Sequence, residues 1–301
     1  MRLITRSDFD GLACGALLEA VGVVNEWLFV HPKDIQDGLI EATKNDVVAN
    51  VPYVNGCGLW FDHHSSEVER LGRVFKFEGV SKSAPSCARV IYDYYGGDAK
   101  LSRFSEMVKA ADKMDSASLS IEEIKNPSGW VMLGFIADPR TGLGRFRNFT
   151  ISNLDLMKML AKATLSKPID QILALPDVKE RIEVYNEQTP LCLEQLKKTS
   201  RVDGKAVIVD LRNTEVIHAG NRFLLYTLFP DANISVVIIN GKKDVNCVIT
   251  VGYSVLNKSA SVDVGSLMLK YGGGGHKQVG TCQVAWDDTD RIVAEITAKI
   301  K

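Results

Sequence analysis

Short apolar runs alternate with helically spaced apolar positions along the first third of the chain. Arg2–Thr5 reads as a strand that stops at Ser7-Asp8-Phe9-Asp10-Gly11. Leu12–Val21 then carries apolar residues at helical spacing, with Ala13, Gly15 and Ala16 small enough for close packing. Trp27–His31, Asp46–Val51 and Gly58–Phe61 read as further strands, with a short helix over Asp34–Glu41. The fourth strand delivers Asp62-His63-His64. Strands alternating with helices predict an α/β fold built on a parallel sheet. Ser83, ahead of Ala84-Pro85, predicts the N-cap of a helix that runs to Tyr95 and stops at Gly96-Gly97.

The pattern then becomes helical over Arg103–Asp115, opens into a Gly- and Arg-rich loop at Asp138–Asn148, and is helical again from Ser152 to about Lys198. Breaks are expected near Pro168 and Pro176, and Pro190 should kink or split the last helical segment. From Lys205 strands return at Ala206–Leu211, Ile234–Asn240 and Cys247–Tyr253, followed by a helix over Val264–Lys270 and the run Gly272–Gly275. The expectation is a parallel-sheet α/β domain over 1–176, a connecting helical segment over 177–200 and a smaller mixed α/β domain over 201–301.

Composition narrows the function. The 301 residues are 46% hydrophobic and 24% charged, the balance of a soluble globular protein. A formal net charge of −1 excludes a global field that would draw the chain to long nucleic acid or an anionic membrane. Six scattered cysteines form no Cys-x-x-Cys pair, which points to reduced, mostly buried thiols. With no apolar leader and no apolar run near the ~20 residues of a membrane span, a cytoplasmic location is expected.

Three strands end in polar residues: Asp8 and Asp10, Asn50, and Asp62-His63-His64. In a parallel sheet such ends line one crevice. Carboxylates with imidazoles suit a divalent metal of the manganese type, and two such metals can activate water and clamp a phosphoryl group. Taken singly, Asp-x-Asp-Gly is a turn or helix cap, a His-His pair is a surface feature, and Asp112 is a solubilising helix residue. Their order, mostly at strand ends, outweighs those readings.

The ordered set Ser7–Gly11, Asp46–Pro52, Asp62-His63-His64 and Ala111-Asp112-Lys113-Met114-Asp115 resembles the DHH phosphoesterase superfamily. Gly272–Gly275 with His276 is similar to the signature of the DHH-associated domain, so the resemblance spans nearly the whole chain. The superfamily includes RecJ-type nucleases, oligoribonucleases, cyclic dinucleotide phosphodiesterases, exopolyphosphatases and inorganic pyrophosphatases. By resemblance Asp8, Asp10, His63 and Asp112 are metal ligands, with Asn50 at a third-strand position where the family carries a bridging aspartate. Asp62 and His64 are the catalytic candidates, with His64 facing the substrate. Gly273, Gly274, Gly275 and His276 are assigned to substrate phosphate, together with Arg6, Lys258 and Arg222. Arg222 as an ordinary surface arginine is an equal alternative.

Two positions depart from the family. Arg6 and Ile4 stand where many members carry a histidine, and Asn50 offers only a neutral carbonyl oxygen to a hard cation. The implication is one firmly bound metal, with Arg6 pairing with Asp8 or a substrate phosphate; an Arg6 that points away, with two metals bound, stays open. The expected cofactor is therefore one or two Mn²⁺, with Mg²⁺ as the alternative. The expected activity is that of a metal-dependent phosphoesterase closing two domains on a small phosphorylated substrate: a short oligonucleotide, cyclic dinucleotide, nucleoside phosphate or polyphosphate. The competing expectation is a nucleotide- or phosphate-binding protein with impaired catalysis on the same scaffold. No membrane partner is expected, and a homodimer is left open.

Overall fold

The computed structural model describes residues 1–64, 76–146, 148–242 and 245–300. The chain forms two units, Met1–Leu119 with Asn126–Tyr185, and Ser120–Lys125 with Asn186–Lys301. Unit 1 holds strands β1 (Arg2–Arg6), β2 (Glu26–Val30), β3 (Asp46–Ala49), β4 (Leu59–Asp62) and β5 (Gly79–Ser81). Their order is β2-β1-β3-β4-β5 and every neighbouring pair is parallel, as the strand–helix alternation predicts. β1 has β2 on one side and β3 on the other, so the winding reverses between β1 and β3. In open α/β sheets the crevice beyond the carboxyl ends at such a reversal is the place for a ligand. Asp8 follows β1 and Asn50 follows β3, one on each side of it.

Helix Phe9–Ala20 starts almost directly from β1 and is buried from Phe9 to Leu18. Gly11 permits this close start: a Cβ there would lie 2.0 Å from the Arg6 carbonyl oxygen. Burying Leu12, Leu17 and Leu18, all fully inaccessible, stabilises the helix by roughly 1.5–3 kcal/mol each. Asp8 caps it, its Oδ1 accepting from the Gly11 N–H at 3.0 Å. The two acidic residues at the mouth of the sheet are therefore positioned by ordinary helix-start chemistry.

Several local expectations are corrected. Helix Cys87–Tyr94 is capped by Ser86, whose Oγ accepts from the Arg89 N–H, and not by Ser83. The helix after β2 is shorter than expected, Pro32–Gln36, and the His31 Nδ1 caps it by accepting from the Lys33 N–H at 3.1 Å. Pro190 lies inside one continuous 24-residue helix, Pro176–Thr199. A proline removes a single hydrogen bond, and Val178, Tyr185 and Cys192 are buried along this helix on both sides of it. No described helix is long and apolar enough to cross a membrane.

Unit 2 is a six-stranded mixed sheet. It contains β6 (Ser200–Asp203), β7 (Ala206–Asp210), β8 (Ile234–Asn240), β9 (Asn246–Tyr253), β10 (Gly274–His276) and β11 (Val279–Ala285) in the order β10-β11-β9-β8-β7-β6. Only β7–β8 is parallel. Alternate residues Val236, Ile238, Ile249 and Val251 face helices Val264–Leu269 and Thr289–Ile300 in its core.

Asp46 opens β3 at the end of the sheet away from the acidic cluster. Its Oδ1 accepts from Arg2 Nε at 2.7 Å and its Oδ2 from the Thr43 N–H at 2.7 Å and Oγ at 2.9 Å. Burial alone would raise its pKa, but these bonds outweigh burial and hold it below the ordinary 3.8. Asp46→Asn is expected to cost about 1–3 kcal/mol. A depressed folded pKa contributes stability above the unfolded value and loses it as pH falls through the folded value. Urea unfolding of both proteins should give a constant gap between about pH 7 and 5 and a smaller one at about pH 3.

Candidate active site

Asp10, in the first turn of its helix, meets the N-terminus of helix Cys87–Tyr94. Its Oδ2 accepts from the Cys87 N–H and its Oδ1 from the Ala88 N–H, both at 2.9 Å. Free N–H groups at a helix start favour a negative charge. Against this, burial first, and then the neighbouring Asp115 and Asp8 carboxylates, push the Asp10 pKa well above the ordinary carboxylate range.

β4 ends at Asp62, which is fully buried. Its Oδ1 lies 2.8 Å from His64 Nδ1, and its Oδ2 accepts from the His64 N–H at 3.3 Å. Burial opposes a charge on His64, but the Asp62 hydrogen bond and charge outweigh it and raise the imidazole pKa above 6.5. His63 turns the other way. Its Nδ1 lies 3.2 Å from the Ala84 carbonyl oxygen and so carries the proton, which leaves a lone pair on Nε2. Nε2 is buried, makes no hydrogen bond, and lies 3.1 Å from Asp115 Oδ2 and 3.9 Å from Asp10 Oδ2.

A lone pair facing two carboxylates is electrostatically unfavourable, and either a proton on Nε2 or a cation among them removes the repulsion. The ligand atoms of Asp10, His63 and Asp115 lie within 4.8 Å of one another. Two carboxylates and a neutral imidazole, its far nitrogen held by a carbonyl, are a donor set that fits a divalent cation.

Sequence reasoning selected Asp112 from helix Ser105–Asp115, one turn before Asp115. The structure engages the Asp112 carboxylate elsewhere: Oδ2 accepts from Arg89 Nε at 3.0 Å and Nη2 at 2.7 Å, and Oδ1 from Ser86 Oγ at 2.7 Å. Asp115 is the carboxylate beside His63 and Asp10. Residues three apart share a helix face, so the motif Ala111–Asp115 contained the signal for both.

Asp8 is similarly engaged. Its Oδ1 accepts from Gly11 N–H and from Asn50 Nδ2 at 3.2 Å, and Oδ2 pairs with Arg6 Nε at 3.1 Å. Burial lifts the Asp8 pKa despite Arg6. Asn50 reaches across the sheet reversal with a left-handed backbone, φ 58°, a conformation that asparagine tolerates. Its described contact to the cluster is thus a donated hydrogen bond.

The Gly- and Arg-rich loop over Asp138–Asn148 supplies Arg140. That residue lines one cavity with Asp8, Asp10, Met114 and Asp115, and pairs with Asp138.

The other candidates belong to unit 2. Lys258 is exposed, and the Arg222 guanidinium carbon lies 4.2 Å from the Phe223 ring centroid. The glycine run forms β10 in a tight hairpin. A Cβ on Gly273 would lie 2.1 Å from the Thr281 carbonyl oxygen, and one on Gly275 would lie 2.2 Å from that of Val279. These glycines have a packing reason independent of any ligand. The His276 side chain lies outside what the structure describes. All six cysteines are free thiols, five of them buried.

No protein-family model matches the sequence, and no curated protein matches it. Among solved structures, the chain is 43% identical to PggH, a pGpG-specific phosphodiesterase from Vibrio cholerae, covering 99% of this chain and 98% of that one with a TM-score of 0.85. It shares its fold with RecJ from Thermus thermophilus in complex with Mn²⁺, at 13% identity and TM-score 0.56 over 99% of this chain and 52% of that one. A second manganese-bound exonuclease RecJ matches at 11% identity and TM-score 0.52, covering 99% and 90%. With the site geometry and 43% identity over almost the full length of both chains, this chain belongs to the DHH phosphoesterase superfamily and is a phosphoesterase.

Proposed function

We propose that this phosphoesterase is a cytoplasmic hydrolase that cleaves the phosphodiester bond of a short 5′-phosphorylated dinucleotide of the pGpG type. The observation that carries this reading is the 43% identity over 99% of the chain to a pGpG-specific phosphodiesterase. A net charge of −1 agrees with a short substrate, since long nucleic acid rewards a basic groove. Asp10, His63 and Asp115 would hold one divalent cation, manganese or magnesium. When bound, such an ion neutralises phosphoryl oxygens and makes a water more acidic.

The chain's own groups divide the remaining work. Asp62 orients His64 and favours its protonated form, so His64 can donate a hydrogen bond to a phosphoryl oxygen and a proton to the leaving ribose oxygen. Asp112 holds Ser86 and Arg89, and through them the helix start that grips Asp10. Asp8, engaged by Gly11, Asn50 and Arg6, fills the space beside Asp10 without serving as a ligand.

Incubation with Mn²⁺ and pGpG should consume one water and yield two GMP, with pGpG preferred over its cyclic form, a long oligonucleotide and polyphosphate. Turnover of one of those others without pGpG would overturn the substrate assignment. His64→Gln is expected to lower kcat about 10²-fold or more with metal content unchanged.

Elemental analysis should find one metal per chain; two tightly bound metals would refute the single-cation arrangement. Asp115→Asn and His63→Ala should lose most of it, whereas Asp112→Asn should keep it and lose about 1–3 kcal/mol of stability. A metal-free Asp112→Asn beside a loaded Asp115→Asn would reverse the ligand assignment.

A further inference from the structure

The loop after helix Gly129–Ala137 makes a short turn, Pro139–Thr141, that begins at Asp138. The buried Asp138 carboxylate accepts from the Arg140 N–H at 2.8 Å and from Arg140 Nε at 2.8 and 3.1 Å. One carboxylate therefore fixes both the backbone and the inner edge of the guanidinium. Among the described residues, Arg140 Nη1 and Nη2 make no hydrogen bond. The side chain is 43% exposed, so these donors are not shut into the core. Arg140 also lines the cavity shared by Asp8, Asp10 and Asp115. Arg6, which serves Asp8, is not among the residues lining it.

A site with this many carboxylates repels a phosphodiester anion unless a fixed cation with unused donors stands beside them. Arg140 is such a group. A guanidinium held at Nε leaves two parallel N–H donors in the geometry that matches two oxygens of one phosphate. A structural role alone, holding Asp138 in place, would be met at the Nε edge and would leave the two outer nitrogens without a use.

We propose that Arg140 binds the substrate phosphoryl group, with Asp138 as the residue that positions it. This rests on the phosphodiesterase reading above and adds to it the group that admits an anion to an acidic site.

The test compares wild type, Arg140→Ala and Arg140→Lys in two measurements: KM for pGpG with Mn²⁺, and the affinity for inorganic phosphate by titration calorimetry. Arg140→Ala should raise KM and weaken phosphate binding by about 10- to 100-fold, with metal content close to wild type and a lower melting temperature, because the buried Asp138 carboxylate loses its guanidinium partner. Arg140→Lys, which keeps the charge without the fork, should lose roughly 3- to 10-fold. KM and phosphate affinity within twofold of wild type in Arg140→Ala would overturn the proposal. Should Arg140→Ala fail to fold, unchanged phosphate affinity in Arg140→Lys would do the same. A wild type that cleaves a different phosphodiester would remove only the dinucleotide assignment, and the same comparison on that substrate would still decide the role of Arg140.

Discussion

The site depends on one buried carboxylate. Asp10 lies among other acids, and burial together with Asp115 and Asp8 opposes its charge. Two backbone N–H groups at the start of helix Cys87–Tyr94 oppose that penalty from 77 and 78 residues away in the chain. This clamp ties the first helix of the sheet to a helix beyond the fourth and fifth strands. Ser86 serves it twice, capping the helix through Arg89 N–H and donating to Asp112. The acidic cleft is thus stabilised by oriented backbone dipoles before any ligand enters.

A second regularity sorts the aspartates. Asp8, Asp112 and Asp138 each have an arginine: Arg6, Arg89 and Arg140 respectively. Asp10 and Asp115 have none among the described residues, and these two face the buried, unbonded nitrogen of His63. A carboxylate already paired with a guanidinium has less to gain from a cation, because the attraction is partly spent and its lone pairs are engaged. The paired aspartates therefore shape the cleft, and the unpaired ones with His63 are where a divalent ion gains most. Neutral Asn50 fits this division, since it donates to Asp8 where another carboxylate would have added to the crowding.

Most of the α/β architecture was legible in the sequence because strand and helix periodicities are local. Asp8, Asp10 and Asp62-His63-His64 were legible for the same reason: each follows or ends a strand, and parallel strands bring their carboxyl ends together. Short or weakly patterned elements were harder to read. Three-residue β5 and four-residue β6 carry too few positions for a period of two to show. Ser83 and Ser86 are both good caps in composition, and the choice went to the one that could also reach Asp112. Pro190 marked a helix break by local rules, yet the helix is continuous, with residues buried on both sides of the proline.

The sequence by itself determined that carboxylates and imidazoles gather at the strand ends and which strand ends those are, since these facts follow from residue order and local periodicity. Only the tertiary structure decided which aspartate of Asp112 and Asp115 turns to His63. One helix face carries both, and its rotation is set by packing and by Arg89, a residue 23 positions away from Asp112. The same holds for Arg140. In the sequence it is one arginine in a glycine-rich loop, and it becomes part of the cleft because Asp138 fixes its guanidinium beside carboxylates more than a hundred residues earlier in the chain.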